Sequence, residues 1–198
     1  MRALALDLST KTGFAVFDNE NLVEYGLLRV KVMDFNVNLD PNKSGLYPFN
    51  IVDAANEMGH KVASLFLRIK PNEVIIENTV KGRNRHTQRI LEFIHKSTLE
   101  ELRNLGTKPI YLDPSEWRSE IALRLTTEDK NNNRLVSQGK KRGRVTKKHL
   151  SVRFANAAYS LSLKIKDNDI ADAICLGRAW QSRSGAPVWD GTMRGGTK

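Results

Sequence analysis

The sequence has little cysteine, no long apolar run and no N-terminal signal-peptide pattern. Its single cysteine, Cys175, excludes an internal disulfide framework and a cysteine-based zinc cluster, and it fits a reducing compartment. No apolar run approaches the ~18 residues that span a membrane, and the first residues enter a strand pattern directly, without a signal peptide. These absences predict a cytoplasmic protein with no membrane partner.

The size and composition are those of one globular domain. The chain has 198 residues, 40% of them apolar and 27% charged, which is enough to bury a substantial core. Helical apolar spacing ends near residue 180, and a segment containing Gly and Ser follows. We therefore predict one domain over residues 1–180 and a disordered tail over 181–198.

The positive charge is concentrated in two stretches. Residues 81–89 carry four basic side chains and no acid, and residues 126–148 carry eight basic and two acidic ones. Together they account for the whole net charge of +10, which predicts a polyanion-binding surface; the alternative is a surface that only keeps the protein soluble. Residues 126–144 are too polar to bury and are predicted to form a basic loop. The cations expected at this surface are Lys81, Arg83, Arg85, Arg89, Lys140, Lys141, Arg142, Arg144 and Lys148.

The first half of the chain predicts a sheet with mixed strand directions. Residues 3–6, 12–17 and 21–30 have the patterns of three antiparallel strands joined by polar turns. A helix over 49–69 leads to a β-branched run over 73–77, which is expected to pair in parallel beside the first strand through a right-handed crossover. The fold class is therefore α/β.

The second half adds one strand and several helices. A short strand is predicted over 109–112, and helices are predicted over 85–105, from 113, over 146–161 and from 167. The result is a five-stranded sheet flanked by helices. The helix over 85–105 has a broader apolar face than one contact with a sheet needs, so either the core or a second subunit covers part of it.

Two acids are expected at the ends of neighbouring strands. Asp7 ends the first strand, where an unpaired carboxylate is costly. Either Asp7 caps the following turn through backbone N–H groups, or it binds a metal ion together with other carboxylates. Glu77 ends the predicted parallel strand, so it is expected beside Asp7.

Two further acids share one face of the last helix. Asp169 and Asp172 are three residues apart near the N-terminus of that helix, where the helix dipole favours negative charge by ~0.3–1 kcal/mol per acid. The dipole explains one acid well. It does not explain why Asp172 stands among Ile170, Ala171 and Ala173, which are expected to pack on the sheet. A carboxylate among apolar side chains needs a cationic partner.

These four acids predict a site for hard cations. Carboxylate oxygens are the ligands that Mg²⁺ and Mn²⁺ prefer. Four carboxylates can hold two such ions roughly 3.5–4 Å apart, one to activate water and one to stabilise the leaving oxygen in phosphodiester hydrolysis. Together with the flanking basic stretches, this predicts a nuclease.

The motifs resemble those of a known family. The element order is similar to the ribonuclease H-like fold, and Asp7-Leu-Ser-Thr-Lys-Thr-Gly, Ile76-Glu77-Asn78 and Asp169-Ile-Ala-Asp172-Ala resemble motifs of the RuvC family of Holliday junction resolvases. Two segments look closest to bacteriophage-type members: Glu77-Asn-Thr-Val-Lys-Gly-Arg-Asn-Arg and Asp113-Pro-Ser-Glu-Trp-Arg. The similarity runs from residue 1 to about residue 180.

The resemblance implies an activity and residue roles. It implies a metal-dependent endodeoxyribonuclease that resolves four-way junctions as a homodimer by paired symmetric nicks, in a bacterial cell or, if phage-encoded, in the host cytoplasm. Lys147 follows a glycine-containing turn and is the candidate for stabilising phosphate charge, and Arg118 stands where relatives carry a DNA-contacting lysine. The implied metal ligands are Asp7, Glu77, Asp169 and Asp172.

The chain departs from the family at two places. Val80 stands where bacterial members can carry an aromatic that stacks at the junction, so the resemblance does not say how this protein opens a crossover. The segment over 126–142 is longer than in bacterial members, so its role does not transfer.

Three other functions fit part of the pattern. A ribonuclease H-like enzyme acting on flaps, other branched DNA or RNA would use the same metal chemistry. Residues 7–13 also resemble the first phosphate loop of actin-like ATPases and sugar kinases. Those proteins need two domains of this kind, however, and are generally well over 300 residues long. A non-catalytic DNA-binding protein leaves four acids on a basic surface unexplained.

Overall fold

The computed structural model describes residues 1–32, 48–79 and 84–183. Within these ranges a short 3₁₀ turn at Ile165–Asp167 precedes the last helix. The strands and α-helices, in chain order, are β1 (Arg2–Asp7), β2 (Lys11–Asp18), β3 (Asn21–Arg29), α1 (Phe49–Ile69), β4 (Glu73–Glu77), α2 (Arg85–Asn104), β5 (Ile110–Leu112), α3 (Pro114–Glu120), α4 (Thr127–Ser137), α5 (Lys147–Tyr159) and α6 (Asn168–Arg183).

The strands form the predicted mixed sheet. Their spatial order is β3-β2-β1-β4-β5. Strand β2 pairs antiparallel with β1 and β3, whereas β4 pairs in parallel with β1 and β5. The prediction of three antiparallel strands followed by parallel ones is confirmed. Strand β1 lies at the centre, which explains its uninterrupted apolar run.

The two faces of the sheet carry different helices. Along β1, Leu4 and Leu6 pack with α1 and α2 on one face, and Ala3 and Ala5 pack with α3, α5 and α6 on the other. Successive side chains of a strand point to opposite faces of the sheet. The size of the side chains on each face therefore sets how closely the helices on that face approach the sheet. The small alanines leave room for α6, and this closeness positions the acids of that helix.

Gly13 on β2 allows the start of α6 to touch the sheet. A Cβ at this position would overlap the backbone carbonyl of Asp169 and would lie 2.8 Å from the backbone nitrogen of Ile170. Gly13 is also the direct cross-strand partner of Asp7. One glycine therefore brings Asp169 to the end of β1.

The predicted basic loop over 126–144 is wrong for its first part, because residues 127–137 form α4. A capping box starts the helix: the Thr126 hydroxyl accepts from the Asp129 N–H, and the Asp129 carboxylate accepts from the Thr126 N–H. The buried residue of this helix is the polar Asp129, which Arg153 of α5 contacts. An analysis of apolar periodicity could not detect the helix.

The chain end differs slightly from the prediction. Helix α6 continues to Arg183, so residues 181–183 belong to the domain, and the rest of the predicted tail, 184–198, lies outside the described residues. None of the helices in the described ranges has both the length and the apolar character required to cross a membrane.

Candidate active site

The parallel pairing of β1 and β4 brings two of the predicted acids together. Leu6 lies opposite Ile76 in this pairing, so the next residues, Asp7 and Glu77, leave the sheet side by side at the same edge. Both side chains are half-buried. The register therefore produces the acidic pair that the strand patterns predicted.

Helix α6 adds the other two acids. Asp169, in its first turn, touches β2 at Gly13, and Asp172 follows one turn later. A cavity of about 310 Å³ is lined by all four predicted acids, together with Ser9, Asn78, Thr79, His95, Lys148 and Asn168, among others. The structure thus brings the four acids to one cavity from three separate elements.

Burial and the repulsion of neighbouring carboxylates raise the pKa values of Asp7, Glu77 and Asp172. The pKa of Asp7 lies well above its usual range, because burial and then the charges of Glu77, Asp172 and Asp169 disfavour its ionised form. Burial raises the pKa of Glu77 to about 7, and burial also raises that of Asp172. Without a bound cation, the cluster resists carrying its full negative charge at neutral pH.

Consecutive residues of α3 contact the two oxygens of Glu77. The indole Nε1–H of Trp117 donates to Oε2 at 3.2 Å, and Nη2 of Arg118 lies 3.6 Å from Oε1. Trp117 is fully buried, and the Arg118 side chain is only 17% exposed. Arg118 was predicted to contact DNA; the structure places it against Glu77, where its charge opposes the rise in the pKa of that acid.

Asp172 has an unsatisfied oxygen. Its Oδ1 is buried and has no hydrogen-bond partner within the described part of the chain. A hydrogen bond from Ser151, a fully buried residue of α5, partly offsets the effect of burial on the pKa of Asp172. A buried carboxylate oxygen without a donor is costly, so this atom is available for a cation.

The start of α5 supplies two lysines to the site. Lys147, predicted to stabilise phosphate charge, lies close enough to Glu77 to lower the pKa of that acid. Lys148, predicted as a DNA contact, lines the cavity, with its Nζ 3.4 Å from Oδ1 of Asn168. Lys148 therefore belongs to the site and not only to the surrounding surface.

The other predicted DNA-contacting cations that the structure describes after α3 and in α2 are not among the residues that line the cavity. Arg85 and Arg89 are in the first turns of α2. Four exposed cations follow α4, namely Lys140, Lys141, Arg142 and Arg144. Lys81, Arg83 and the departure at Val80 lie outside the described residues.

Three contributors were missed at the sequence level. Trp117 lies in the Asp113-Pro-Ser-Glu-Trp-Arg segment, but its hydrogen bond to Glu77 depends on where α3 packs. Ser151 carries no signal in the sequence. His95 lines the cavity, and its Nδ1 lies 3.1 Å from the hydroxyl of Tyr111. Burial lowers the pKa of His95 to about 4, so this ring is neutral at physiological pH.

The chemistry of the donor set fits a hard divalent cation. The acids offer only oxygen ligands, they repel one another, and Asp172 has a free buried oxygen. Among residues 1–32, 48–79 and 84–183, however, no three His, Cys, Asp or Glu side chains are placed so that they could hold an ion as they stand. The acids are therefore near neighbours and not a closed coordination cage.

The raised pKa of Glu77 has a consequence for stability in EDTA. An unfolded Glu titrates near 4.3. The folded protein therefore holds the proton more tightly between about pH 4.3 and pH 7, and stability falls as pH rises through this window. Glu77→Gln removes this contribution. We expect its melting temperature to fall less than that of the wild type between pH 5 and pH 8, as measured by thermal unfolding in EDTA. Equal falls for the two proteins would contradict the assignment.

Comparison with known proteins finds similar structures without similar sequences. No protein-family model matches the chain, and no curated protein matches it. The structure of Thermus thermophilus RuvC in complex with a Holliday junction substrate has a TM-score of 0.63 at 12% identity, over 93% of this chain and 96% of that one. A second T. thermophilus RuvC structure gives 0.61 at 13% identity, over 93% and 97%. The yeast mitochondrial Holliday junction resolvase Ydc2 gives 0.53 at 10% identity, over 92% and 78%.

These similarities establish the fold. The mixed sheet and its flanking helices match the RuvC and ribonuclease H-like α/β fold, as predicted. These structures come from T. thermophilus and yeast, so the predicted bacteriophage-type likeness stays a prediction.

Proposed function

We propose that this protein is a metal-dependent endonuclease that resolves four-way DNA junctions by paired symmetric nicks. One observation carries the proposal: four carboxylates from β1, β4 and α6 line one cavity, and basic residues from the start of α5 stand beside them. Holliday junction resolvases of the same fold support the substrate class. A site that only bound DNA would gain nothing from four acids, because they repel phosphate.

The proposed roles follow the placement of the side chains. The four acids would hold two Mg²⁺ or Mn²⁺ ions, which when bound supply an activated water and stabilise the leaving oxygen. Trp117 and Arg118 restrain Glu77 from α3. Lys147 would stabilise negative charge on the scissile phosphate, and Arg118 and Lys148 would contact the same DNA strand.

A second candidate keeps the chemistry and changes the substrate. A nuclease acting on flaps, other branched DNA or RNA would need the same acids, so only a comparison of substrates separates the two functions. We expect cleavage of a four-way junction in Mg²⁺ or Mn²⁺, much slower cleavage of a flap and of a linear duplex, and none in EDTA. Faster cleavage of the flap would favour the second candidate, and cleavage in EDTA would contradict both.

Paired nicks require two active sites, which a homodimer would supply. Helix α2 buries Ile94 and Leu102 against the core, but Phe93 on the same helix remains 36% exposed. We propose that a second copy of the chain covers this part of α2. Sedimentation velocity is expected to show a dimer, free or on junction DNA. Phe93→Asp should weaken the dimer, whereas Phe49→Asp, a matched change at an exposed Phe at the start of α1, should not. A wild-type monomer under both conditions would contradict the proposal.

A further inference from the structure

Residues 138–146, which join α4 to α5 and are here called the basic arm, have a defined shape. The arm begins where the N–H of Lys140 donates to the carbonyl of Leu135 at 2.9 Å, with Gly139 at φ 72°. Gly143 adopts φ 85° before the chain turns towards α5. Both positions have the left-handed backbone that glycine adopts most easily. The arm is thus built around two glycine turns.

Asparagines of α4 hold the far side of the arm. The Asn133 side chain accepts from the N–H of Val145 and donates to the carbonyl of the same residue, each at 2.8 Å. Asn132 donates to the carbonyl of Gly143 at 3.0 Å. Asn133 therefore pairs with the arm as a neighbouring strand would, although it belongs to a helix.

Helix α4 is itself attached to α5. The buried carboxylate of Asp129 accepts two hydrogen bonds from Nη1 of Arg153, at 2.8 and 2.9 Å. Charge-assisted bonds of this kind are stronger than neutral ones. The basic arm is thereby connected, through α4, to the helix that carries Lys147 and Lys148.

The cations of the arm continue directly to the cavity. Residues 138–148 contain six basic side chains and no acid. The four cations of the arm are exposed, while Lys148 lines the carboxylate cavity. The arm has no aromatic residue, and its one large apolar side chain, Val145, is half-buried. Such a surface is suited to a phosphate backbone and is not suited to base stacking or membrane insertion.

We infer that the basic arm is a preformed clamp for the phosphate backbone of duplex DNA beside the strand that enters the cavity, and that Asn133 sets its affinity. This inference rests on the proposed function for the role of the cavity. Preorganisation matters because a mobile segment loses conformational entropy when it binds, whereas an ordered one has lost it on folding. Asn133 acts through the arm and is a positioning residue.

The test compares two asparagines of one helix. Asn133→Ala removes both bonds to Val145, and Asn131→Ala changes an exposed side chain of α4 as its matched control. Binding of labelled duplex and junction DNA is measured in EDTA, so that cleavage plays no part. We expect Asn133→Ala to bind roughly tenfold more weakly and Asn131→Ala to bind as the wild type does. Hydrogen exchange at the Val145 amide reports release of the arm, which melting temperature alone would not reveal.

The salt dependence of DNA binding tests whether the basic arm contacts phosphates. Changing Lys140, Lys141 and Arg142 together to Ala is expected to flatten the slope of log K against log salt by up to ~3 units. An unchanged slope would overturn the inference, as would Asn133→Ala protein that loses Val145 protection yet binds normally. Tighter binding of the wild type to anionic vesicles than to duplex DNA would also overturn the inference, because the arm would then favour a lipid surface over a nucleic-acid backbone.

The inference and the proposed function fail separately. If the arm variants bind DNA weakly but the wild type cuts no DNA in Mg²⁺ or Mn²⁺, the nuclease proposal fails and the clamp stands. If the wild type cuts junctions while the arm variants bind normally, the clamp fails alone.

Discussion

Asp7→Asn is expected to slow junction cleavage by roughly 10³-fold or more. Asn keeps the shape of Asp7 but removes the charge that a divalent cation requires. Junction binding should persist or tighten, because the change removes a carboxylate from the acid-lined cavity and leaves the basic residues intact. Single-turnover cleavage in Mn²⁺ and DNA binding in EDTA measure the two effects on the same protein.

A matched control separates this effect from a general loss of charge. Asp53→Asn makes the same change at an exposed acid on α1, outside the cavity, and should leave cleavage unchanged. If Asp7 only caps its turn, Asn replaces it almost equally well. Near-normal cleavage by the Asp7→Asn protein would therefore mean that Asp7 is a structural cap.

Gly13→Ala is expected to have the second largest effect. The added Cβ would overlap the backbone carbonyl of Asp169, so the start of α6 must move away from β2. Overpacking a core costs up to about 3 kcal/mol, and misplacing catalytic groups by about 1 Å can slow a reaction by about 100-fold. Thermal unfolding and single-turnover cleavage below the melting transition measure both losses.

Gly26→Ala is the control for this change. Its added Cβ would meet the ring of Phe14, 2.8 Å away, on the outer part of the same sheet and not at the acids. A ring can turn where a backbone carbonyl cannot. Gly26→Ala should therefore lower the melting temperature and keep most of the cleavage rate. Equal cleavage losses for the two variants would show that close packing of α6 at Gly13 is not what positions Asp169.

The sheet and the acids at its edge could be predicted because each produces a local sequence pattern that indicates one structure. The run before Asp7 is apolar throughout because β1 is buried on both faces, and the acid after it marks the edge of the sheet. Once β4 pairs in parallel with β1, Glu77 must arrive beside Asp7. The proximity of Asp7 and Glu77 follows from the pairing and register of β1 and β4, whereas metal binding by the acids stays a prediction.

The missed features depend on contacts between distant residues. Helix α4 is stabilised by Asp129 with Arg153 and by Asn133 with Val145, and neither pair produces a periodic signal. Trp117 contacts Glu77 only because α3 follows β5 along the sheet edge. Which of Lys147 and Lys148 lines the cavity depends on how α5 is rotated about its own axis. The sequence pattern does not determine that rotation.

The most direct test of the central claim is a double-mutant cycle on junction cleavage. The claim is that acids on β1 and α6 act as one site. Single-turnover rates are measured for the wild type, Asp7→Asn, Asp172→Asn and the double variant. If the acids act together, the first substitution already disables the site, and the double variant should be about as slow as either single one. Losses that multiply, so that the double variant is slower by the product of the two single effects, would show two independent acids and contradict the account.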